Sequence, residues 1–521
     1  MKRYDPIELE IFKNVFVSIS EEMGAVLGRT ALSPNIKERK DYSCAVFNRK
    51  AETLAQGSHI PVHLGAMPLS VRAAIQALPF NEGDLVILND PYRGGTHLPD
   101  ITCIAPVFFG KKLAFFVANR AHHSDVGGMT PGSMPLATEI FQEGLILPPL
   151  KLIQKGKIQE DILRLILANV RTPEERKGDL LAQMAACEKG KQRITEAVEK
   201  YGLNKILRYS ALIQDYTEKF LRETILAIPD GDYAFEDFMD DDGISDDPVR
   251  IHVTIRIRGS RADIDFHGSS PQVKGGVNAN EAVTFSAVLY VFRSLIEEDI
   301  PFNTGLMRPL RIIAPAGLVV SAQYPAATAA GNVETSQRIV DVLLGALAKA
   351  VPSKIPAASQ GTMNNIAIGG YDPIKMKNFA YYETIGGGMG ASRENPGLSG
   401  VHTHMTNSLN TPLEALENYL PIRIRRYTFR KGSGGPGRNR GGEGLVREYE
   451  FSIPAQVTIM SERRKFFPYG LQGGRPGIRG KNILFSAGKR TLLKSKVNLQ
   501  VKPGDVLRIE TPGGGGYGRR R

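Results

Sequence analysis

Cysteine is scarce in this chain of 521 residues: Cys44, Cys103 and Cys187 are all it contains. With no CxxC spacing among them they cannot build a disulfide framework. A cytoplasmic protein with reduced thiols is the simplest account. Long apolar runs are missing too. None approaches the ~20 residues of a membrane span. Glu8, Glu10 and Lys13 interrupt the apolar stretch near the N-terminus, which therefore does not read as a secretory leader. The glycine-rich segments have neither the Walker spacing with its Lys-Ser/Thr pair nor a GxGxxG between strand and helix, so no nucleotide-binding motif is present. Tryptophan is absent as well, which by itself excludes nothing.

What remains is a globular composition, 42% hydrophobic and 23% charged, in a chain long enough for more than one core. The net charge of +12 raises the question of nucleic acid. Much of the excess lies in a C-terminal part with Arg423, Arg425, Arg426, Arg430, Lys431, Arg438, Arg440 and the run Arg519, Arg520 and Arg521. No nucleic-acid fold signature accompanies it. A basic surface facing an acidic partner, or a high-temperature lifestyle, explains it equally well.

Periodicity predicts an α+β protein with mixed sheets, a long N-terminal helix and a helical insert. Ile7, Ile11, Phe12, Val15, Phe16, Ile19, Met23, Val26 and Leu27 recur at helical spacing over residues 6–32. From about 40 to 150 short apolar runs alternate with Gly and Pro turns, as strands do. Residues 155–228 read as helices, one of them opened by Thr172-Pro173-Glu174-Glu175, a capping box with proline at the first helical position. After 229 the pattern is mixed. Residues 249–257 alternate strictly, as a half-solvated antiparallel strand should, and 279–296 and 336–350 read as helices. The chain thus divides into a β-rich region 1–154, a helical subdomain 155–228, and a mixed α/β region 229–521. Its late glycine runs read as tight turns and loops.

The chemistry concentrates in two short stretches. The chain has 9 histidines, and His97 with Asp100, then His122 and His123 with Asp125, flank two apolar runs joined at Gly110-Lys111. A hairpin there returns its flanks to one another and brings imidazoles and carboxylates to one point, as a divalent metal requires. His97, Asp100 and His122 form a mixed nitrogen/oxygen set that suits Zn, Mn or Fe(II). An ion with an open position makes a nucleophile of water or polarises a carbonyl. His123 and Asp125 are then candidates for orienting or proton-transferring groups. Asp41 precedes a strand and reads equally as a fourth ligand or as a turn aspartate. Glu334, in 331–337, and the pair His402 and His404 are candidate substrate contacts, although His-x-His is also a metal spacing.

These stretches together resemble the hydantoinase B family. It covers the B subunit of ATP-dependent hydantoinases, the second half of 5-oxoprolinase, and the equivalent subunits of acetone- and acetophenone-type carboxylases and of caprolactamase. The resemblance is carried by residues 41–45, 60–67, 89–91, 94–100, 119–128, 169–176, 331–337 and 402–407, and spans about 5–517. It implies a hetero-oligomer. A separate A subunit with an actin-like ATPase fold phosphorylates the amide oxygen or enol, and the B subunit holds one metal and finishes the reaction. The family's metal ligands map to His97, Asp100 and His122, with Asp41 and His123 as further candidates.

The leading expectation is therefore the metal-dependent subunit of an ATP-driven cyclic-amide hydrolase of the hydantoinase or oxoprolinase type. An ATP-dependent carboxylase of small ketones is the alternative, and the length of the chain tilts against it. A mononuclear Fe(II) oxygenase fits the ligand types but pairs its ligands at other spacings. A basic binding protein explains the charge and none of the histidines.

Overall fold

The structure, a computed structural model, describes residues 5–57 and 59–520. The first helix, α1 (Pro6–Thr30), starts where Asp5 accepts a hydrogen bond from the Ile7 amide and Pro6 takes the first helical position. It buries Leu9, Phe12, Phe16, Ile19, Met23 and Leu27, while Ile7 and Ile11 of the expected stripe stay exposed. A single turn, α2 (Pro34–Lys37), leads into a seven-stranded antiparallel sheet. Its strands are β1 (Tyr42–Asn48), β2 (Thr53–Gln56), β3 (Leu85–Leu88), β4 (Asp100–Phe109), β5 (Lys112–His122), β6 (Leu150–Gln154) and β7 (Lys157–Ile158), in the order β2-β1-β5-β4-β3-β6-β7. Helix α3 (Ala66–Ala77) lays Met67, Val71 and Ala74 against Phe47, Val86, Ile104 and Phe116 on one face. On the other face α1 and α5 (Pro173–Tyr201) cover Val46, Ile87, Cys103, Phe115 and Val117. A sheet covered on both sides needs apolar residues at successive positions, and β4 and β5 are accordingly continuous apolar runs. All three cysteines are buried with free thiols.

The helical insert consists of α4 (Glu160–Ala168), α5 and α6 (Leu203–Leu226). One detail differs from the expected capping box. Pro173 does open α5, but Thr172 makes no capping bond and its hydroxyl is buried without a partner. The turn before it is tied down instead at Arg171, whose backbone amide donates to Asp125 at 3.0 Å.

A second sheet of β8 (Gly231–Met239), β9 (Val249–Arg258), β10 (Arg261–Asp265) and β11 (Leu310–Ile313) runs in the order β11-β10-β9-β8, parallel only at β10–β11. Strand β9 alternates buried and half-buried residues as its sequence requires. Helices α7 (Glu281–Ser294) and α8 (Ser336–Ala350) share its core, into which Ile60 and Val62 of the first region also pack. A five-residue π-turn, Gly331–Thr335, precedes α8. The remainder holds β12 (Asn365–Asp372), β13 (Lys377–Glu383), the short helix α9 (Leu413–Tyr419), β14 (Ile422–Arg430), β15 (Gly444–Phe451), β16 (Ala455–Met460), β17 (Lys481–Ser486), β18 (Lys489–Leu493), β19 (Lys496–Val501) and β20 (Val506–Glu510). They form two sheets, β13-β12-β16-β19 and β14-β15-β20-β17-β18. The architecture is α+β. Part of the C-terminal basic charge is matched within it, since Arg425, Arg426 and Arg430 lie 3.8, 3.6 and 3.2 Å from Glu450, Glu448 and Glu510.

The late glycine runs are loops, as expected, with an exposed turn at Lys431-Gly432, but most of their glycines are buried. They interlock as extended backbone: Gly388 donates to the Pro512 carbonyl at 3.0 Å, Gly442 to Met389 at 2.8 Å, Gly435 to Gly514 at 2.8 Å and Gly515 to Ala358 at 2.8 Å. A Cβ on Gly441 would stand 2.0 Å from the Gly514 carbonyl oxygen. Glycine is needed here for close approach of backbones. Among the described residues no helix is long and apolar enough to cross a membrane.

Candidate metal centre

The β4–β5 hairpin closes its own flanks. Its register sets Asp100 opposite His122, and a turn in which the Asp100 amide donates to the His97 carbonyl at 3.0 Å folds His97 back over them. Nε2 of His97 lies 3.1 Å from Nδ1 of His122 and 3.3 Å from Oδ1 of Asp100, and Nδ1 of His122 is 3.1 Å from the same oxygen. All three residues are buried. A triangle of that size can place each donor ~2.1 Å from one ion.

Hydrogen-bond accounting sharpens this. Nδ1 of His97 donates to the Ala329 carbonyl at 3.2 Å, so Nε2 of the neutral ring carries only a lone pair. Oδ2 of Asp100 is occupied by the Thr96 hydroxyl, by Nε2–H of His63 at 3.3 Å and by the Asn332 amide at 3.5 Å. Oδ1 therefore faces two imidazole nitrogens, at least one of which has no hydrogen to give. A hydrogen on His122 Nδ1, a proton on His97 or a bound cation can each bridge these atoms at this spacing. Electrostatics agree. Burial works against charge on Asp100, yet the imidazoles of His97 and His63 hold its carboxyl well below the usual carboxylate range. Burial likewise opposes charge on His97, and Asp100 reverses it, raising the imidazole above its ordinary value. For His122 burial prevails and lowers it.

His63 was not among the expected site residues. The Ser43 hydroxyl donates to its Nδ1 at 2.9 Å, which leaves the other nitrogen as the donor to Asp100. Ser43, His63 and Asp100 are the residue types of a nucleophilic triad. Ser43, however, does not line the cavity beside Asp100, and its hydroxyl serves to fix the imidazole tautomer. That cavity, of ≈ 20 Å³, has room for an ion with a water. Its wall includes Asp41, His63, Asp100, His122, Asn332 and Tyr382 and, among the described residues, no lysine or arginine.

The structure treats the other expected site residues differently. Asp41 stands in the cavity wall with its carboxylate 3.9 Å from Arg39, outside the set of ligand atoms that lie within 4.8 Å of one another. His123, one residue beyond His122, turns to the opposite side of the strand. It donates to Gln183 Oε1 at 2.9 Å and is pushed down to about 4 by burial and by Arg176. Asp125 ties loops together, accepting from the amides of Gly127 and Gly132 at 3.0 and 3.2 Å and from the Arg171 guanidinium at 3.0 Å. Neither of these two is brought to the triad. Glu334 accepts from the Met363 amide at 3.0 Å and from Asn365 at 2.6 Å, and burial together with Glu462 pushes it up to about 8. His402 has both ring nitrogens buried without partners, and His404 has one. Thr96, Asn332 and Tyr382 join His63 as residues that spacing did not single out. The first two sit inside recognised stretches, whereas nothing in its own strand marks Tyr382.

The hydantoinase B/oxoprolinase family matches over residues 5–520. The chain belongs to this family. It is 41% identical to the uncharacterized protein MJ0963 of Methanocaldococcus jannaschii, covering 99% of this chain and 91% of that protein. It is 42% identical to 5-oxoprolinase 1 of Arabidopsis thaliana over 99% of this chain, yet spans only 42% of that longer protein. The B subunit of a putative D-/L-hydantoinase from Pseudomonas sp. (strain NS671) is 32% identical, with 99% and 90% covered. In three dimensions the fold is shared with the ATP-dependent caprolactamase of Pseudomonas jessenii at a TM-score of 0.91 and 28% identity, over 99% of this chain and 92% of that one. Acetone carboxylase in its nucleotide-free structure gives the same TM-score at 18% identity, a likeness of fold alone.

Proposed function

We propose that this chain is the metal-bearing subunit of an ATP-dependent hydrolase of cyclic amides. It opens a lactam or hydantoin ring that a partner subunit has activated by phosphorylation. The observation that carries this reading is the buried triangle of His97, Asp100 and His122, whose three ligand atoms lie close enough together to share one ion. Relatives named 5-oxoprolinase, D-/L-hydantoinase and caprolactamase support the reaction class. His97, Asp100 and His122 would hold the ion, zinc, manganese or iron(II) by donor type, with Asp41 of the cavity wall as candidate fourth ligand. A divalent ion there supplies Lewis acidity, which polarises an amide carbonyl or makes water nucleophilic at neutral pH.

The chain's own residues do the rest. Thr96, His63 and Asn332 hold one oxygen of Asp100 so that the other faces inward. Ala329 fixes the tautomer of His97, and the buried wall excludes bulk water. His402 and His404, with unpartnered ring nitrogens, are candidate substrate contacts. Amide resonance protects an unactivated ring, which is why attack needs prior phosphorylation. The family resemblance implies that an actin-like ATPase subunit carries out that step within a hetero-oligomer, and the absence of a nucleotide-binding motif in this chain fits that division of labour. Three reduced, buried cysteines suit a cytoplasmic one. No observation favours the ketone carboxylase beyond shared fold.

The test is Asp100→Asn in the complex reconstituted with the ATPase subunit. Substrate-dependent phosphorylation in a single turnover stays within about twofold, while ring opening falls on the order of a thousandfold, as loss of several kcal/mol of stabilisation implies. Ring opening at the wild-type rate would remove these residues from the chemistry. Consumption of bicarbonate with a ketone would transfer the chain to the carboxylases.

A further inference from the structure

Histidines that hold a metal normally give their other ring nitrogen to a carbonyl or carboxylate, which fixes the plane of the ring. His97 follows that rule through Ala329. His122 does not: its Nδ1 faces the triad and its Nε2 is buried with no partner. Something else must hold this ring. The phenol of Tyr382 lies against it, with centroids 4.5 Å apart and planes at 25°.

Tyr382 is itself immobilised. Its hydroxyl donates to Oδ1 of Asn365 at 2.6 Å. The Asn365 amide nitrogen spends its hydrogens on Glu334 Oε1 at 2.6 Å and on the Met460 carbonyl at 2.8 Å. That leaves the asparagine oxygen as acceptor and the phenol as donor. The Arg39 guanidinium stands 5.2 Å from the centroid of the same ring and donates to the Tyr382 carbonyl at 2.9 Å. The phenol is therefore held at its hydroxyl, at its backbone and over its ring, in a fully buried setting.

We propose that Tyr382, anchored at its hydroxyl by Asn365, is the positioning residue that sets the His122 ring, in place of the hydrogen-bonded outer partner this histidine lacks. The inference rests on the metal reading above. It gives Glu334 a place at the far end of the anchor, behind Asn365.

Titration of the full-length chain with Co(II) tests it, against a competing chelator and with the visible ligand-field spectrum recorded. Tyr382→Leu removes the stacked ring and weakens binding about 10- to 100-fold, the range for losing an outer partner, with an altered spectrum. Tyr382→Phe keeps the ring without its anchor and falls between that variant and wild type. Thermal unfolding of the metal-free chains separates positioning from a general loss of stability. Should Tyr382→Leu fail to fold, Tyr382→Phe carries the test alone through its affinity and spectrum. Wild-type affinity and spectrum in the folded variants overturn the inference while leaving the metal reading intact. A wild-type chain that takes up no cobalt overturns both.

Discussion

Around Arg338 and Arg463 the interior holds a network of buried ions in which carboxylates meet cations. Around Asp100 it holds a carboxylate oxygen that meets only imidazoles. In the first region Asp237 lies 2.8 Å from Arg338 and 2.7 Å from Arg463, Asp341 2.5 Å from Arg463, and Glu462 beside Lys496. In the second, no arginine or lysine among the described residues lines the cavity. Both regions are costly to bury. The first is balanced from within and serves to join β8, α8 and the segment after β16. The second, in the reading proposed above, is left for a cation that comes from outside. A buried polar cluster is thus better judged by whether its charges close than by how many it contains.

Arg463→Met tests that contrast most severely. It leaves Asp341 without its nearest cation and is expected to lower stability by about 3–5 kcal/mol in denaturant unfolding. Metal content per folded chain should not change. If metal were lost as well, the two regions would be one.

Glu334 lies between them, and its sign can be worked out. Its carboxyl is pushed from 4.5 up to about 8 in the fold, by burial and then by Glu462. The folded chain therefore keeps a proton there that the unfolded chain gives up. Stability from this group is full below about 4.5 and declines as pH rises towards 8, by roughly a few kcal/mol in all. Glu334→Gln should flatten that decline in unfolding curves taken across the window. An unchanged slope would mean that this carboxyl is already ionised.

His123→Gln is the mildest change. It loses the bond to Gln183, at a cost of about 1 kcal/mol, and should retain metal in full. Loss of metal would return His123 to the site from which the strand turns it.

These outcomes bear on how far the site could be read in the sequence. The hairpin was legible because two apolar runs and a glycine turn fix their own pairing, and the triad followed from it. The divergence of His122 and His123 needed only the alternation of a strand, had the strand's last residue been known. Asp125 lies beyond it, where backbone amides rather than side chains choose its partners. His63 and Tyr382 arrive from other elements, and no local pattern says which distant strand will lie against a given imidazole. The π-turn at Gly331–Thr335 is invisible for a similar reason. It departs from helical period over a single turn, and tertiary packing alone keeps it.

The interlocked glycines carry a consequence for how this protein comes into being. The amides of Gly388, Gly435, Gly442 and Gly515 find their acceptors across segments far apart in the sequence. A few side chains assist, Ser433 and Ser359 accepting from the amides of Gly444 and Gly390 and Thr511 donating to the Gly386 carbonyl, but most of the contact is backbone on backbone. Closing so many long loops before any amide is rewarded makes this a late, concerted step in folding. A trait built this way has no dial for selection to turn. With a carbonyl oxygen 2.0 Å from where a Gly441 Cβ would be, even alanine is too large, and the segment can be kept or lost but not adjusted.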